Sequence, residues 1–281
     1  MIIIGERINS TRSSIQKALA DNNIEYLMNE AHQQLASGAE FIDINTAASL
    51  KKEEENLTTL ILNLQEKFNC GISIDSPDGK VVNSALKICK AKPFINSISG
   101  EKKRLSLLDN FIKQRDSYII VLAMDDNGMP NDIGARVSIA ENIISVASSK
   151  GIDKNNIFID PLVKPVSTEP KQARFFLESV KILKEKGIRC IGGLSNVSFG
   201  LPKRNLLNAA FVKLAMNSGI DAAIIDPTQE TIRGLLNGKG IPEDISSLAE
   251  DVLLGRDEYS MRYIKAFREG RLSKGDCPLL G

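Results

Sequence analysis

The sequence predicts an α/β protein built as a closed (β/α)8 TIM barrel with extra helices at its C-terminal end. Three observations predict it. Eight short apolar runs alternate with longer amphipathic ones along the chain, the pattern of parallel strands buried on both faces and covered by helices. A length of 281 residues suits one such barrel, which typically takes about 250 residues. The competing architecture, an open doubly wound sheet, normally carries a glycine-rich phosphate turn after its first strand. Here the first strand runs into Gly5-Glu6-Arg7-Ile8-Asn9, and neither GxGxxG nor GxxxxGK[ST] occurs.

The elements follow in order. A strand over Ile2–Gly5 leads to a helix with Ile24, Leu27, Met28, Ala31 and Leu35 on one face. The strand Phe41–Asn45 precedes a second helical pattern of Leu57, Leu60, Ile61, Leu64 and Phe68. Then come the strands Gly71–Asp75, Phe94–Ser97, Tyr118–Met124, Ile157–Asp160 and Arg189–Leu194. A helix with Leu207, Ala210, Phe211, Leu214 and Ala215 on one side leads to the last strand, Ala222–Ile225. Gly38, Gly151, Gly187 and Gly219 each precede a strand closely, as expected of helix-ending residues that take a left-handed conformation. From about Pro242 the pattern becomes extra helix (Ile245–Leu254, then Tyr259–Phe267) and a loose tail. The expected organisation is therefore a barrel over 1–240 and a helical extension over 241–281 packed on it, with no proline-rich linker between them.

Thirty-six basic against 35 acidic residues leave a formal charge of +1, so nothing electrostatic favours nucleic acid or a membrane surface. No apolar run approaches the ~18 residues of a membrane span, and the N-terminal run lacks the form of a signal peptide. Cys70, Cys89, Cys190 and Cys277 lie far apart with no CxxC pair, which suits a reducing cytoplasm. A cytoplasmic protein is expected.

In a barrel of this kind, residues at the C-terminal ends of the strands converge on one site. The sequence places Glu6 and Asn9 after the first strand, Asp43 and Asn45 at the second, and Asp75 with Ser76 at the third. Asn96, Ser97 and Ser99 follow at the fourth, Asp125 and Asp126 at the fifth, and Asp160 at the sixth; Ser195 and Asn196 close the seventh, and Asp226 the eighth. Asp125, Asp126 and Asp226 read as caps or loop carboxylates. The single histidine, His32, falls inside the first helical pattern on the barrel wall. Histidine-based triads and multi-histidine zinc sites are thereby excluded, and no metal site is expected. Basic residues such as Arg7, Lys164 and Arg204 are too scattered to form a sugar-phosphate cradle. Neutral amides and carboxylates instead suit a planar heterocycle: Asp accepts two parallel N–H bonds from an amidine-like edge, and Asn both donates and accepts. A pterin has that edge.

With these residues in place, the chain resembles the pterin-binding barrel family, and within it the methyltetrahydrofolate:corrinoid-protein methyltransferases, which are related to the folate domain of cobalamin-dependent methionine synthase. The resemblance runs from Ile4-Gly5-Glu6-Arg7-Ile8-Asn9 to about Pro227. Its landmarks are Asp43-Ile44-Asn45, Ile74-Asp75-Ser76, Ile95-Asn96-Ser97, Ile159-Asp160-Pro161-Leu162 and Gly193-Leu194-Ser195-Asn196-Val197-Ser198. The run Arg204 to Phe211, with Asn208, and the segment Gly219 to Ile224 complete it.

The resemblance implies an enzyme of one-carbon metabolism that moves a methyl group between tetrahydrofolate and the cobalt of a corrinoid. Asp75, Asn96 and Asp160 are then expected to hold the pterin, with Glu6, Asn9, Asp43, Ser198 and Arg204 completing the folate site. Asn196 is the expected catalytic residue, bonded near the methyl-bearing nitrogen. Tetrahydrofolate or 5-methyltetrahydrofolate is the implied substrate. The corrinoid (cobalamin) is expected on a separate partner protein, because His32 stands in Glu30-Ala31-His32-Gln33-Gln34-Leu35 and lacks the Asp and Gly of a cobalt-reaching Asp-x-His-x-x-Gly loop. A homodimer is also implied. One departure is Phe199, where acetogenic members are polar. Dihydropteroate synthase, on the same fold, is the nearest alternative, but its Ser-Thr-Arg-Pro run is replaced by Asn45-Thr46-Ala47-Ala48-Ser49. A non-catalytic pterin-binding module is the other.

Overall fold

A computed structural model describes residues 1–241 and 243–272 of the chain. The eight strands are β1 (Ile2–Asn9), β2 (Phe41–Asn45), β3 (Gly71–Asp75), β4 (Phe94–Ser99), β5 (Tyr118–Leu122), β6 (Ile157–Asp160), β7 (Arg189–Cys190) and β8 (Ala222–Ile225). All pairings between them are parallel, in the order β7-β6-β5-β4-β3-β2-β1-β8. The ring is completed between β7 and β8 by a parallel bridge from Gly193 to Ile224, with the Ile224 N–H donating to the Gly192 carbonyl at 3.0 Å. This is the predicted (β/α)8 barrel.

Strand limits shift in four places. β1 continues past Gly5 to Asn9 across an irregularity between Gly5 and Ile8, and β4 continues to Ser99. β5 ends at Leu122 rather than Met124, because the following residues close a tight turn in which Asp125 bridges Gly128. As a continuous strand β7 is shorter than the apolar run Arg189–Leu194 suggests: beyond Cys190 the chain keeps only single ladder contacts through Ile191, Gly192 and Gly193, then enters a 3-10 turn over Leu194–Ser198. A Cβ at Gly192 would stand 2.7 Å from the Phe176 ring, so only glycine lets this corner pack against the helix Gln172–Glu185 outside it.

Each predicted helix face is the one that packs inward. Leu27, Met28 and Ala31 of the helix Ile24–Ala36 are buried, as are Leu57, Leu60, Ile61 and Leu64 of Glu53–Lys67. Ala210, Phe211 and Ala215 of Arg204–Asn217 are buried too. The four helix-ending glycines have φ of +100° (Gly38), +73° (Gly151), +68° (Gly187) and +85° (Gly219). A short helix, Ser13–Ala20, precedes the one carrying His32 and was not apparent from the pattern.

The extension begins with the helix Glu243–Leu253, whose Ile245, Ala249, Val252 and Leu253 are buried, and continues into the helix Met261–Arg268. Tyr263 of the latter is fully buried, and its hydroxyl donates to the Lys203 carbonyl at 3.2 Å. The expected loose tail, with Cys277, lies outside the described residues. Among the described residues no helix is long and apolar enough to cross a membrane.

The barrel interior is layered. Ile4, Phe94, Ile120, Phe158, Ile191 and Ala222 form a cluster of their own, with Phe41 and Tyr118 packed on it. The Phe94 ring meets Phe41 edge-on with centroids 4.9 Å apart and Phe158 at 5.0 Å. Side chains alternate along a strand, so the same inward column is met again two residues on. It reads Ile4 then Glu6, Phe41 then Asp43 then Asn45, Phe94 then Asn96, and Phe158 then Asp160. The apolar plug fills the end where the strands begin, and the polar residues occupy the end where they finish. Phe94→Ala should cost about 3–5 kcal/mol of stability, as large core aromatics do. The urea unfolding midpoint measures it, and a loss near zero would mean the plug is not packed as described.

Candidate active site

Two cross-strand pairs organise the polar end. Asp43, only 3% exposed, accepts at Oδ1 from Ser73 Oγ (2.6 Å) and Asn96 Nδ2 (3.0 Å). Asn45 Nδ2 donates to Asp75 Oδ2 at 2.9 Å, while Asn45 Oδ1 accepts from Ser10 Oγ at 2.8 Å. These bonds spend the Asn96 amino group on Asp43 and one oxygen of Asp75 on Asn45. Among the described residues no hydrogen bond engages the Asn96 side-chain oxygen or the second Asp75 oxygen. Asp160 ends β6, and its Oδ1 accepts from the Leu162 N–H at 2.7 Å. Behind it the fully buried Arg136 donates to the carbonyls of Pro161 (2.9 Å) and Leu162 (3.1 Å) and to Gln172 Oε1. That guanidinium fixes the loop whose N–H in turn orients Asp160, with Leu162 at φ +73°.

Next to these groups, across β7, β8 and β1, opens a polar cavity of about 440 Å³. Glu6, Asn9, Asn196 and Arg204 line it, together with Ser195, Asn208 and Asp226. Ser195 Oγ donates to Glu6 Oε1 at 2.6 Å, and Arg204 donates to the Ser195 carbonyl at 2.8 Å. Asn196 is exposed, and the Arg204 guanidinium lies 5.9 Å from the centroid of the exposed Phe199 ring. The cavity also contains Thr11, Arg12 and Gln229, none of which was singled out from the sequence. They sit in loops, and only the folded chain brings them to the mouth; the one local signal was their position just beyond Asn9 and Asp226.

Sequence-predicted residues thus fall into three groups. Glu6, Asn9, Asn196 and Arg204 line the cavity, and Asp75, Asn96 and Asp160 continue the strand-end rim at β3, β4 and β6. Asp43 and Ser198 lie beneath the surface. Ser198 is fully buried, and its hydroxyl donates to Asn208 Oδ1 (2.6 Å) and accepts from Arg204 Nε (3.0 Å). It therefore supports Arg204 and Asn208 from below. Asp226, expected as a loop carboxylate, does cap its turn through Thr228 (2.6 and 3.0 Å), but it also accepts from Arg7 at 3.2 Å and lines the cavity. The Asp125 carboxylate bonds within its own turn, accepting from the N–H of Asn127 at 2.8 Å. His32 is exposed on the outer wall, stacked on Phe68 with centroids 5.9 Å apart. Among the described residues no group of three or more His, Cys, Asp and Glu could hold a metal ion.

Burial dominates the electrostatics. It pushes Glu6 up from 4.5 to about 7, against the Ser195 hydrogen bond, and Asp160 up from 3.8 to about 6, against the Leu162 N–H. Asp43 is raised to about 8 by burial and then by the neighbouring Asp75, itself raised chiefly by burial. Desolvation disfavours the charged form, and a nearby like charge adds to it. The site is a row of carboxylates whose titration burial raises above the ordinary carboxylate range.

Comparisons with known proteins agree with the fold and with the pterin-binding resemblance. Residues 5–226 match the model of the pterin binding enzyme family. The methylcorrinoid:tetrahydrofolate methyltransferase of Eubacterium limosum is 31% identical over 276 residues, which are 97% of this chain and 98% of that protein. The chain belongs to the pterin-binding enzymes, on the branch of the corrinoid-dependent methyltransferases. Solved structures share the fold at lower identity. A Yersinia pestis dihydropteroate synthase with a pterine-sulfa conjugate superimposes with a TM-score of 0.63 at 18% identity, covering 88% of this chain and 93% of that one. The Coxiella burnetii dihydropteroate synthase in complex with pteroic acid gives 0.62 at 17%, covering 83% and 90%. At such identities the likeness is one of fold.

The raised Asp43 makes a stability prediction. Between its ordinary 3.8 and about 8 the folded state binds more protons at this carboxyl than the unfolded state. Its contribution is complete below the lower value and is lost as pH rises through the upper one. Asp43→Asn keeps an acceptor for Ser73 and Asn96 without the titration. Its urea midpoint should fall less steeply than the parent's between pH 4 and 8, and parallel curves would remove Asp43 from the ledger.

Proposed function

We propose that this enzyme transfers a methyl group from the cobalt of a methylated corrinoid, carried on a separate protein, to the N5 nitrogen of tetrahydrofolate. The observation that carries the reading is the pairing of a carboxylate-and-amide rim (Asp75, Asn96, Asp160) with an open cavity presenting the Asn196 carboxamide and no imidazole. The relationship to the Eubacterium limosum protein, named for this reaction, supports it along nearly the whole chain. The barrel and the C-terminal helices act as one unit, working in the cytoplasm as a homodimer.

The rim binds the pterin. The free oxygen of Asp75 and the carboxylate of Asp160 accept ring N–H groups, and the Asn96 carbonyl, aimed by the Asp43–Asn96 bond, takes another. Asn9 and Arg204 surround the outer parts of the folate, with Ser198 bracing Arg204, and Glu6 meets the ring beside Asn196. Asn196 bonds to the reacting nitrogen. Methyl transfer between an amine and cobalt is an in-line displacement in which charge on that nitrogen changes. A hydrogen bond that strengthens as the charge develops favours the transition state over the ground state. The rest of the rate comes from holding the two large reactants in line. With His32 on the outer wall, this chain brings no imidazole to the mouth, and the corrinoid would arrive on a partner that docks over it.

The test is direct. Tetrahydrofolate and methylcobalamin mixed anaerobically with the protein should give the cob(I)alamin spectrum and 5-methyltetrahydrofolate; folate binding without any transfer would leave a pterin-binding module. Asn196→Ala should slow transfer by about 100-fold while weakening folate binding far less, and equal losses would make Asn196 a binding residue only. Asp160 must be ionised to accept the pterin edge, so the tetrahydrofolate Kd should rise by roughly tenfold per pH unit below its pKa of about 6. In Asp160→Asn that dependence should vanish, and its persistence would assign the titration to another group.

A further inference from the structure

We propose that Glu6 is the base that removes the proton from the folate nitrogen as it accepts the methyl group. The assignment rests on the methyl-transfer reading above and deepens it.

The reaction has a proton to place. The N5 lone pair forms the new N–C bond, and the cobalt–carbon bond breaks with both electrons staying on cobalt. The nitrogen, which still carries its hydrogen, becomes a cationic tertiary ammonium. To leave as neutral 5-methyltetrahydrofolate it must give that proton to an acceptor within hydrogen-bond reach or one water away. Asn196 cannot take it, because a carboxamide has no basic site at neutral pH.

Of the groups lining the cavity with Asn196, the acceptor can be found by elimination. Asn9, Thr11, Ser195, Asn208 and Gln229 are amides and hydroxyls, and Arg12 and Arg204 are permanently cationic. Asp226 is committed at both oxygens, to Arg7 on one side and Thr228 on the other. Glu6 remains. Its Oε1 accepts from Ser195 Oγ at 2.6 Å, and Ser195 is the chain neighbour of Asn196. One hydrogen bond therefore ties the carboxylate to the turn carrying the amide. Its Oε2 accepts no hydrogen bond from the described residues and is not among the buried polar atoms lacking a partner, so it opens to the cavity.

The setting suits a reversible acceptor. Asp226 from the end of β8 opposes ionisation of Glu6, Arg12 and Arg204 favour it, and an ionised Glu6 in turn opposes ionisation of Asp43 in β2. Burial outweighs both and leaves the group titrating at about 7. A base with a pKa near the working pH takes a proton and releases it again readily, and the same carboxyl would donate in the reverse direction.

Glu6→Gln keeps the length of the side chain and an oxygen for the Ser195 hydrogen bond, and a circular dichroism spectrum matching the parent's is the check that it folds. With methylcobalamin as donor and tetrahydrofolate as acceptor, the single-turnover rate of the parent should rise with pH through about 7. Glu6→Gln should be slower by about 100-fold or more, lack that rise, and hold tetrahydrofolate within about threefold of the parent Kd. Glu6→Asp should restore part of the rate together with the pH dependence. A Glu6→Gln protein that transfers at the parental rate, or one that loses rate and binding equally while keeping the pH dependence, overturns the role of Glu6 alone. Absence of transfer by the parent protein overturns the methyl-transfer reading and this one with it.

Discussion

A closed parallel barrel leaves its strands no wet face, and this constraint shapes everything else in the molecule. Helices cover the outside, side chains fill the inside, and hydrogen-bonded neighbours stand on either edge of each strand. Polar side chains can then gather only where the strands stop. The inward columns obey this residue by residue, with Ile4 succeeded by Glu6, Phe94 by Asn96 and Phe158 by Asp160. A carboxylate so placed stands on an apolar floor, with part of its hydration replaced by protein. The raised titration of Glu6, Asp43, Asp75 and Asp160 follows from that position. The chemistry of the site comes from the architecture as much as from the residue types.

Two cations keep that end in shape. Arg7 binds Glu30 at 2.7 Å and Asp226 at 3.2 Å, and its backbone N–H donates to Gln34 at 2.9 Å. It thereby joins β1 to β8 and to the helix Ile24–Ala36. Arg136 plays the corresponding part behind Asp160, with carbonyls rather than a carboxylate as its partners. Both are more than surface ion pairs, which contribute about 0–1 kcal/mol: Glu30 is only 7% exposed at its side chain, and Arg136 is fully buried. Removing either cation would leave acceptors without donors away from water, and such losses cost about 1–3 kcal/mol for each group.

Most of the fold was legible because the signals were local. The strand Phe41–Asn45 and the glycine-ended helices depend on periodicity and backbone conformation within a few residues. β7 stops as a continuous strand at Cys190 although Ile191 to Leu194 continues the apolar run, and periodicity cannot see that the ladder thins to single contacts there and gives way to a 3-10 turn at Leu194. At the site, Asp75, Asn96 and Asp160 could be found from strand ends alone. Arg12 and Gln229 could not, since their presence at the mouth depends on how loops fold over a rim that only exists when the ring is closed. Asp226 was undervalued for a related reason. As a capping carboxylate it looks self-sufficient, and its second role, toward Arg7, spans 219 positions of the chain.

The pairing of β1 with β8 has a consequence for how the protein comes into being. Ile2 to Gly5 find their partners at Ala222 to Ile225, near the far end of the barrel sequence. A ribosome adds about 5–20 residues per second, so the strand Ile2-Ile3-Ile4 is made roughly ten to forty seconds before the strand that will shield its other edge. Throughout that interval the nascent chain displays an unpaired, strongly apolar edge, the kind of surface that recruits other strands. Safe passage through synthesis is therefore a demand on this sequence as real as the geometry of its mouth.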